Sequence, residues 1–306
     1  MEIIRPGINI DLVGKMKIAF TASLIAIGIS VLSLLFHGGP NLGIDFAGGT
    51  QVQIKFSQDA TAEGIRDSLQ TIGLGNSIIQ RFGYQTNNEF LIKTEKSSSA
   101  LEGMSNKIAE ALGTSYGKES FEIRRVEVVG PKVGSDLRQK GLLAMLYAVI
   151  GILIYVTWRF ELRYAVGAIV ALIHDVVITV GVFSLLGKEF TLPIIAALLT
   201  IIGYSLNDTI VVYDRIRENI KGARKQPLKE VVNSSINQVL SRTILTSVTT
   251  LLVVLALFLL GGAVIHDFAF ALLVGIVVGT YSSIFVASPT VLVWETIWPS
   301  KEKGNQ

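Results

Sequence analysis

Three short stretches put ionisable side chains inside apolar runs. Asp208 lies in "GYSLNDTIVVYDRIREN", residues 203–219, among Leu, Ile and Val. Arg242 opens "SRTILTSVTTLLVV", residues 241–254, and His174 and Asp175 interrupt "ALIHDVVITVG", residues 171–181. An ionisable group in a bilayer-spanning helix costs roughly 2.5–3.5 kcal/mol on insertion scales and marks ion or proton pathways. A carboxylate beside Arg or His in such a setting can exchange a proton and change its partner. Each position also has a plainer reading. Asp208 is either an intramembrane carboxylate or one just deep enough to reach water. Arg242 either meets Asp208 or snorkels to the interface. The His174–Asp175 pair is either a proton relay or a hydrogen bond between helices. Ser205 and Asn207 lie beside Asp208, and Thr246 and Thr250 stack one and two turns beyond Arg242. Hydroxyls of this kind bond their own backbone or line a wet, packed face.

The elements that carry these residues are membrane spans. Half of the 306 residues are hydrophobic and the mean hydropathy is +0.54. A span needs roughly 20 mostly apolar residues. Six stretches qualify, at 18–36, 142–158, 164–186, 192–213, 243–260 and 268–294. Counted from Leu192, Asp208 lies about 24 Å along its helix, and Arg242 about 27 Å from Leu260, at 1.5 Å per residue. The two helices run antiparallel, so the two charges share a depth to within a turn. The last stretch spaces Gly275, Gly279, Ser283 and Ala287 four apart, for close packing or a partner interface.

Lys and Arg concentrate at the N-terminus (Arg5, Lys15, Lys17), in alternate loops and in the tail (Lys301, Lys303). The positive-inside rule then predicts a cytoplasmic N-terminus at 1–17, a first span at 18–36 and an extracytoplasmic domain at 37–140. It further predicts five spans within 141–295, with a cytoplasmic connector near 214–240 that is basic enough to favour anionic lipid, and a cytoplasmic tail at 296–306. The first span is too long for a signal-peptide core and has no A-x-A site after it, so it is read as uncleaved. A net charge of +3 points away from nucleic acid, and the absence of cysteine excludes disulfides.

Within 37–140, "TQVQIKF" alternates like a strand, and strands are also expected at 77–82, 89–94 and 121–129. Helices are expected from Thr61 to Gly73 and over 100–112. The order βαββαβ predicts a ferredoxin-like α+β domain. "GIDFAGG" (Gly43, Asp45, Gly48, Gly49) precedes a strand instead of opening a helix, so it is not a phosphate loop. It reads as a tight connection with Asp45 capping a turn. With "VVGPKVG" (Gly130, Pro131) at the domain's exit, it forms a pair of hinge or docking segments. No metal cluster or catalytic constellation is visible in the sequence, so no enzyme activity, metal or organic cofactor is expected.

Taken together, "GIDFAGGT", "VVGPKVG", "LIHD", "GYSLNDTIVVYDRIREN" and "SRTILTS…LLVVLALFLLGG" resemble, in order and spacing, the SecD/SecF protein-export family. The resemblance covers nearly the whole chain. It implies half of an RND-type unit that works with SecD, which supplies six further helices, and that associates with the SecYEG channel and often with YajC. It also implies use of the proton-motive force, with protons as the coupling ion, to promote preprotein export across the bacterial inner membrane. The family's proton-conducting Asp and Arg fall on Asp208 and Arg242, and His174 and Asp175 match a further motif. A stand-alone proton-coupled exporter of lipids or small molecules and a non-conducting scaffold subunit remain as alternatives.

Overall fold

The structure, a computed structural model, describes residues 9–82, 88–94, 103–222 and 226–298. Arg5, most of the turn cluster at 83–88, Leu101, Arg224, Lys225 and the tail from 299 lie outside the described residues. The chain divides into two compact units, a sheet unit (Leu42–Leu143 with Glu189–Leu192) and a helical unit comprising the rest.

The sheet unit contains α2 (Ile44–Ala47), β1 (Gly49–Phe56), α3 (Ala62–Gln70), β2 (Ile78–Phe82), β3 (Glu89–Thr94), α4 (Met104–Tyr116) and β4 (Phe121–Val129). The strands are antiparallel in the order β2-β3-β1-β4, the ferredoxin-like arrangement. Alternation decides which face is covered. Val52, Ile54 and Phe56 of β1 and Phe90 and Ile92 of β3 are buried against Ile65 and Leu69 of α3 and Ile108 and Leu112 of α4. Thr61 caps α3, its hydroxyl accepting from Gly64 N–H at 3.1 Å. One difference from the sequence reading concerns "GIDFAGG", which contains a helical turn, α2, where a bare connection was expected.

Among the described residues, six helices are long and apolar enough to cross a membrane. They are α1 (Met16–Phe36), α5 (Pro131–Arg159), α6 (Leu162–Leu185), α7 (Leu192–Gly222), α8 (Leu228–Leu260) and a sixth formed by α9 (Gly262–Ser282), a π-helical turn (Ser283–Ala287) and α10 (Ser288–Ile297). Two boundaries differ from expectation, and the last span has an internal irregularity. α5 begins at Pro131, inside the expected exit loop, because proline suits the first helical position, where its missing N–H is not needed. The stretch expected as a connector near 214–240 is largely helical among the described residues. α7 and α8 continue through most of that stretch, clasped by Asn219 Nδ2, which donates to Ser235 Oγ and Gln238 Oε1 at 2.9 Å each. The last span carries its π turn just before Pro289, whose ring nitrogen cannot bond four residues back.

The membrane helices fall into two groups. The apolar windows of α6, α7 and the sixth span are 56% buried, against 11–17% for α1, α5 and α8. The first group therefore forms the centre of the helical unit, and it carries the buried carboxylates. Residues 9–13 lie along α8, where Asn233 and Asn237, one turn apart, accept from the N–H groups of Leu12, Val13 and Ile10 at 2.8–3.1 Å.

Candidate functional site

Two carboxylates are buried in the helical unit, and their surroundings differ. Asp175 of α6 is 0% exposed and Asp208 of α7 is 3% exposed.

Asp175 accepts from His174 Nδ1 at 2.9 Å, from Ser205 Oγ of α7 at 2.5 Å and from Ser282 Oγ of α9 at 2.8 Å. Three donors from three helices satisfy this carboxylate as an anion. On the other side of the imidazole, His174 Nε2 lies 3.2 Å from Ser23 Oγ of α1, which is 3.2 Å from Tyr281 OH. Tyr281 donates to Ala19 O at 2.6 Å. Ser23 has one proton for two neighbours. When His174 carries both ring protons, every member donates onward, from His174 to Ser23 to Tyr281 to the backbone. The adjacent residues His174 and Asp175 thus form one hydrogen-bonded unit that reaches α1, α7 and α9.

Asp208 has far less support. Among the described residues it accepts one hydrogen bond, from Ser247 Oγ of α8 at 3.5 Å. Ser247 is shared, lying 2.7 Å from Thr280 Oγ1 of α9 and accepting from Tyr204 OH at 3.3 Å. Of the two, Asp208 is the carboxylate whose charge is less compensated, and the side chains linked to it are hydroxyls.

Of the two readings of Arg242, a contact with Asp208 is not seen: no ion pair joins them among the described residues. Arg242 is exposed on α8, while its neighbours Thr243 and Ser247 are buried. Adjacent helical residues point about 100° apart, so equal depth does not imply one face. Asn207 is likewise exposed, next to buried Asp208. Thr246 and Thr250 bond their own helix, at Arg242 O and Thr246 O, with Thr246 also reaching Thr243 O.

The small residues of the last span pack against the same centre. A β-carbon on Gly275 would lie 2.2 Å from Ile201 Cδ1, and one on Gly279 would lie 3.0 Å from Ser205 Cβ and 3.5 Å from Asp175 Oδ2. Ser283 and Ala287 are buried. Gly43, Asp45, Gly48, Gly49, Gly130 and Pro131 lie together in the sheet unit or at its exit, away from both carboxylates in sequence.

Sequence reasoning did not single out Ser23, Thr280, Tyr281 or Ser282, and it named Ser247 only within a run of hydroxyls. A signal existed. The buried residues of α1 are Ser23, Ser30 and Ser33, a row of small polar residues on one face of an otherwise apolar helix. They meet His174, Gly181 and Ser184 of α6 at a constant offset of 151, so α1 and α6 run parallel in register.

The fold and this site define a multipass membrane protein with ionisable groups at the centre of its helices. The description "Protein export membrane protein SecD/SecF, C-terminal" fits residues 108–297, and the SecD/SecF GG motif fits residues 33–60. The chain belongs to the SecD/SecF protein-export family. It is 52% identical to the protein translocase subunit SecF of Magnetococcus marinus, over 96% of this chain and 95% of that one. It is 47% identical to SecF of Vibrio alginolyticus over 95% of this chain and 91% of that one. A crystal structure of SecDF from Thermus thermophilus, a translocon-associated membrane protein, matches 95% of this chain with 40% identity and a TM-score of 0.84. A second SecDF structure, in a super-membrane-facing form, matches with a TM-score of 0.71. The chain spans 39% and 41% of those two SecDF chains.

Proposed function

We propose that this chain is a proton-coupled accessory subunit of the Sec translocase in the bacterial inner membrane. It pairs with SecD, acts at the SecYEG channel, with YajC as a further associate, and uses the proton-motive force to promote preprotein export. Both termini are cytoplasmic and the sheet unit is extracytoplasmic on this reading, and the proton is the only coupling ion invoked.

The observation that carries the proposal is the state of Asp208, a buried carboxylate with one long hydrogen bond to Ser247. Protonation removes the desolvation cost of its charge and its attraction to any cation. A potential of 100 mV supplies about 2.3 kcal/mol per charge moved across the membrane. Two conformations a few kcal/mol apart are shifted by such a term. Arg242 acts as the charge that Asp208 senses from a neighbouring face. His174 and Asp175 hold α1, α6, α7 and α9 together as one moving body.

Pairing with SecD draws support from the bundle's surface. Asn207 and Arg242 are exposed on spanning helices. Lipid leaves such groups without partners, whereas a second bundle of helices covers them. Asp208→Asn tests the proposal. Export driven by the proton-motive force falls to the level seen without that force, while the variant still co-purifies with SecD. Export stimulation at the native level in this variant rejects it.

A further inference from the structure

The turn at residues 43–49 brings together chain segments that lead to three different spanning helices. It follows α1 in the sequence. It packs against the start of α5, where a β-carbon on Gly48 would lie 2.9 Å from Pro131 Cα and one on Gly134 would lie 3.0 Å from Phe46 O. Gly48 also has φ +77, a conformation that a residue with a side chain rarely adopts.

The third segment is Glu189–Leu192, which belongs to the sheet unit although it leads directly into α7. Leu42 and Phe190 form a parallel β-bridge. Gly43 N–H donates to Phe190 O at 2.9 Å, and the rings of Phe46 and Phe190 are 6.1 Å apart. Lys93 pairs with Glu189 in a largely buried ion pair. Asp45 accepts from the N–H of Leu192, the first residue of α7, at 2.8 Å. The first N–H groups of a helix have no partner within it, and a carboxylate there also meets the positive end of the helix dipole. The first turn of α7 has no acidic residue of its own and includes Pro193. Its cap therefore comes from a residue 147 positions away.

We infer that Asp45 is a positioning residue for the proton-driven step. It holds the first turn of α7, the helix that carries Asp208, to the glycine turn of the sheet unit. Displacement of α7 then reaches that unit through residues 189–192, in addition to the connections from α1 and α5. This inference rests on the proposed proton coupling.

The test uses the complex with SecD and the translocon in vesicles, with proton flux and export stimulation measured separately. Asp45→Ala retains proton flux and loses export stimulation, whereas Asp45→Asn, which keeps an acceptor, restores it. Loss of a merely structural contact lowers flux and stimulation together. The chain has no cysteine, so the double variant Leu42→Cys/Phe190→Cys adds one clean crosslink. Paired strands lie about 4.8 Å apart, within the span of a disulfide. Oxidising that pair leaves stimulation intact in the otherwise native chain and restores it in Asp45→Ala. Normal coupling in Asp45→Ala overturns the inference, as does loss of stimulation on oxidising the otherwise native pair. If Asp45→Ala fails to fold, the crosslink in the native background still decides. Asp208→Asn reads the underlying proposal separately. Unchanged stimulation there removes proton coupling itself, whereas failure confined to Asp45→Ala removes only the inference.

Discussion

Asp175 and Asp208 are the same residue type at similar burial, and their hydrogen bonds assign them different work. Asp175 receives three donors, from His174, Ser205 and Ser282, and Asp208 receives one at 3.5 Å. Hydrogen bonds between membrane helices average about 0.6 kcal/mol, so Asp175→Ala, which breaks two of them and the bond to His174 on its own helix, destabilises the fold by about 1–2 kcal/mol. Asp208→Asn keeps an acceptor for its one weak contact and costs less than about 1 kcal/mol. Thermal unfolding in detergent compares the two variants. Export assays run in the opposite order, with the larger loss in Asp208→Asn wherever the Asp175 variant remains folded. Equal unfolding shifts in the two variants contradict this division of labour.

The contact between α1 and α6 is the element on which the His174 network depends. Serines on α1 face His174, Gly181 and Ser184 in parallel register, and a β-carbon on Gly181 would lie 2.1 Å from Ser30 Cβ. Gly181→Ala therefore pushes the two helices apart, at a cost of about 1–3 kcal/mol by overpacking. Adding Ser30→Gly makes room and recovers part of the loss. A double-mutant cycle on unfolding shows this as non-additivity between two residues in contact. Strict additivity means that the helices do not meet there. The π turn at Ser283–Ala287 follows directly on Ser282, whose Oγ donates to Asp175 at 2.8 Å, and Ser288 Oγ bonds Ser283 O across it at 3.0 Å.

At the scale of the whole molecule, α1, α5 and α8 bury little of their apolar windows, and Asn207 and Arg242 are exposed. A single Asn207→Cys in this cysteine-free chain reacts with a membrane-permeant maleimide when the subunit is expressed alone and is protected when SecD is co-expressed. A stand-alone exporter shows the same labelling in both cases. The six spans and the ferredoxin-like domain were legible in the sequence, because hydropathy and strand alternation are properties of consecutive residues. Strands β3 and β4 start and stop where alternation does. The charged stretch read as a connector near 214–240 continues α7 and α8 as helix, and its alternating signs at helical spacing were consistent with that. Sequence counting measures position along a helix axis. It does not measure the angle at which a side chain leaves that axis, nor which neighbour stands opposite. Packing made those choices. It turned Arg242 to the surface and Ser247 toward Asp208, wrapped Asp175 in donors from three helices, and carried Asp45 to the first turn of α7. Each of these depends on helices far apart in the chain coming within a few ångströms, which no local pattern encodes.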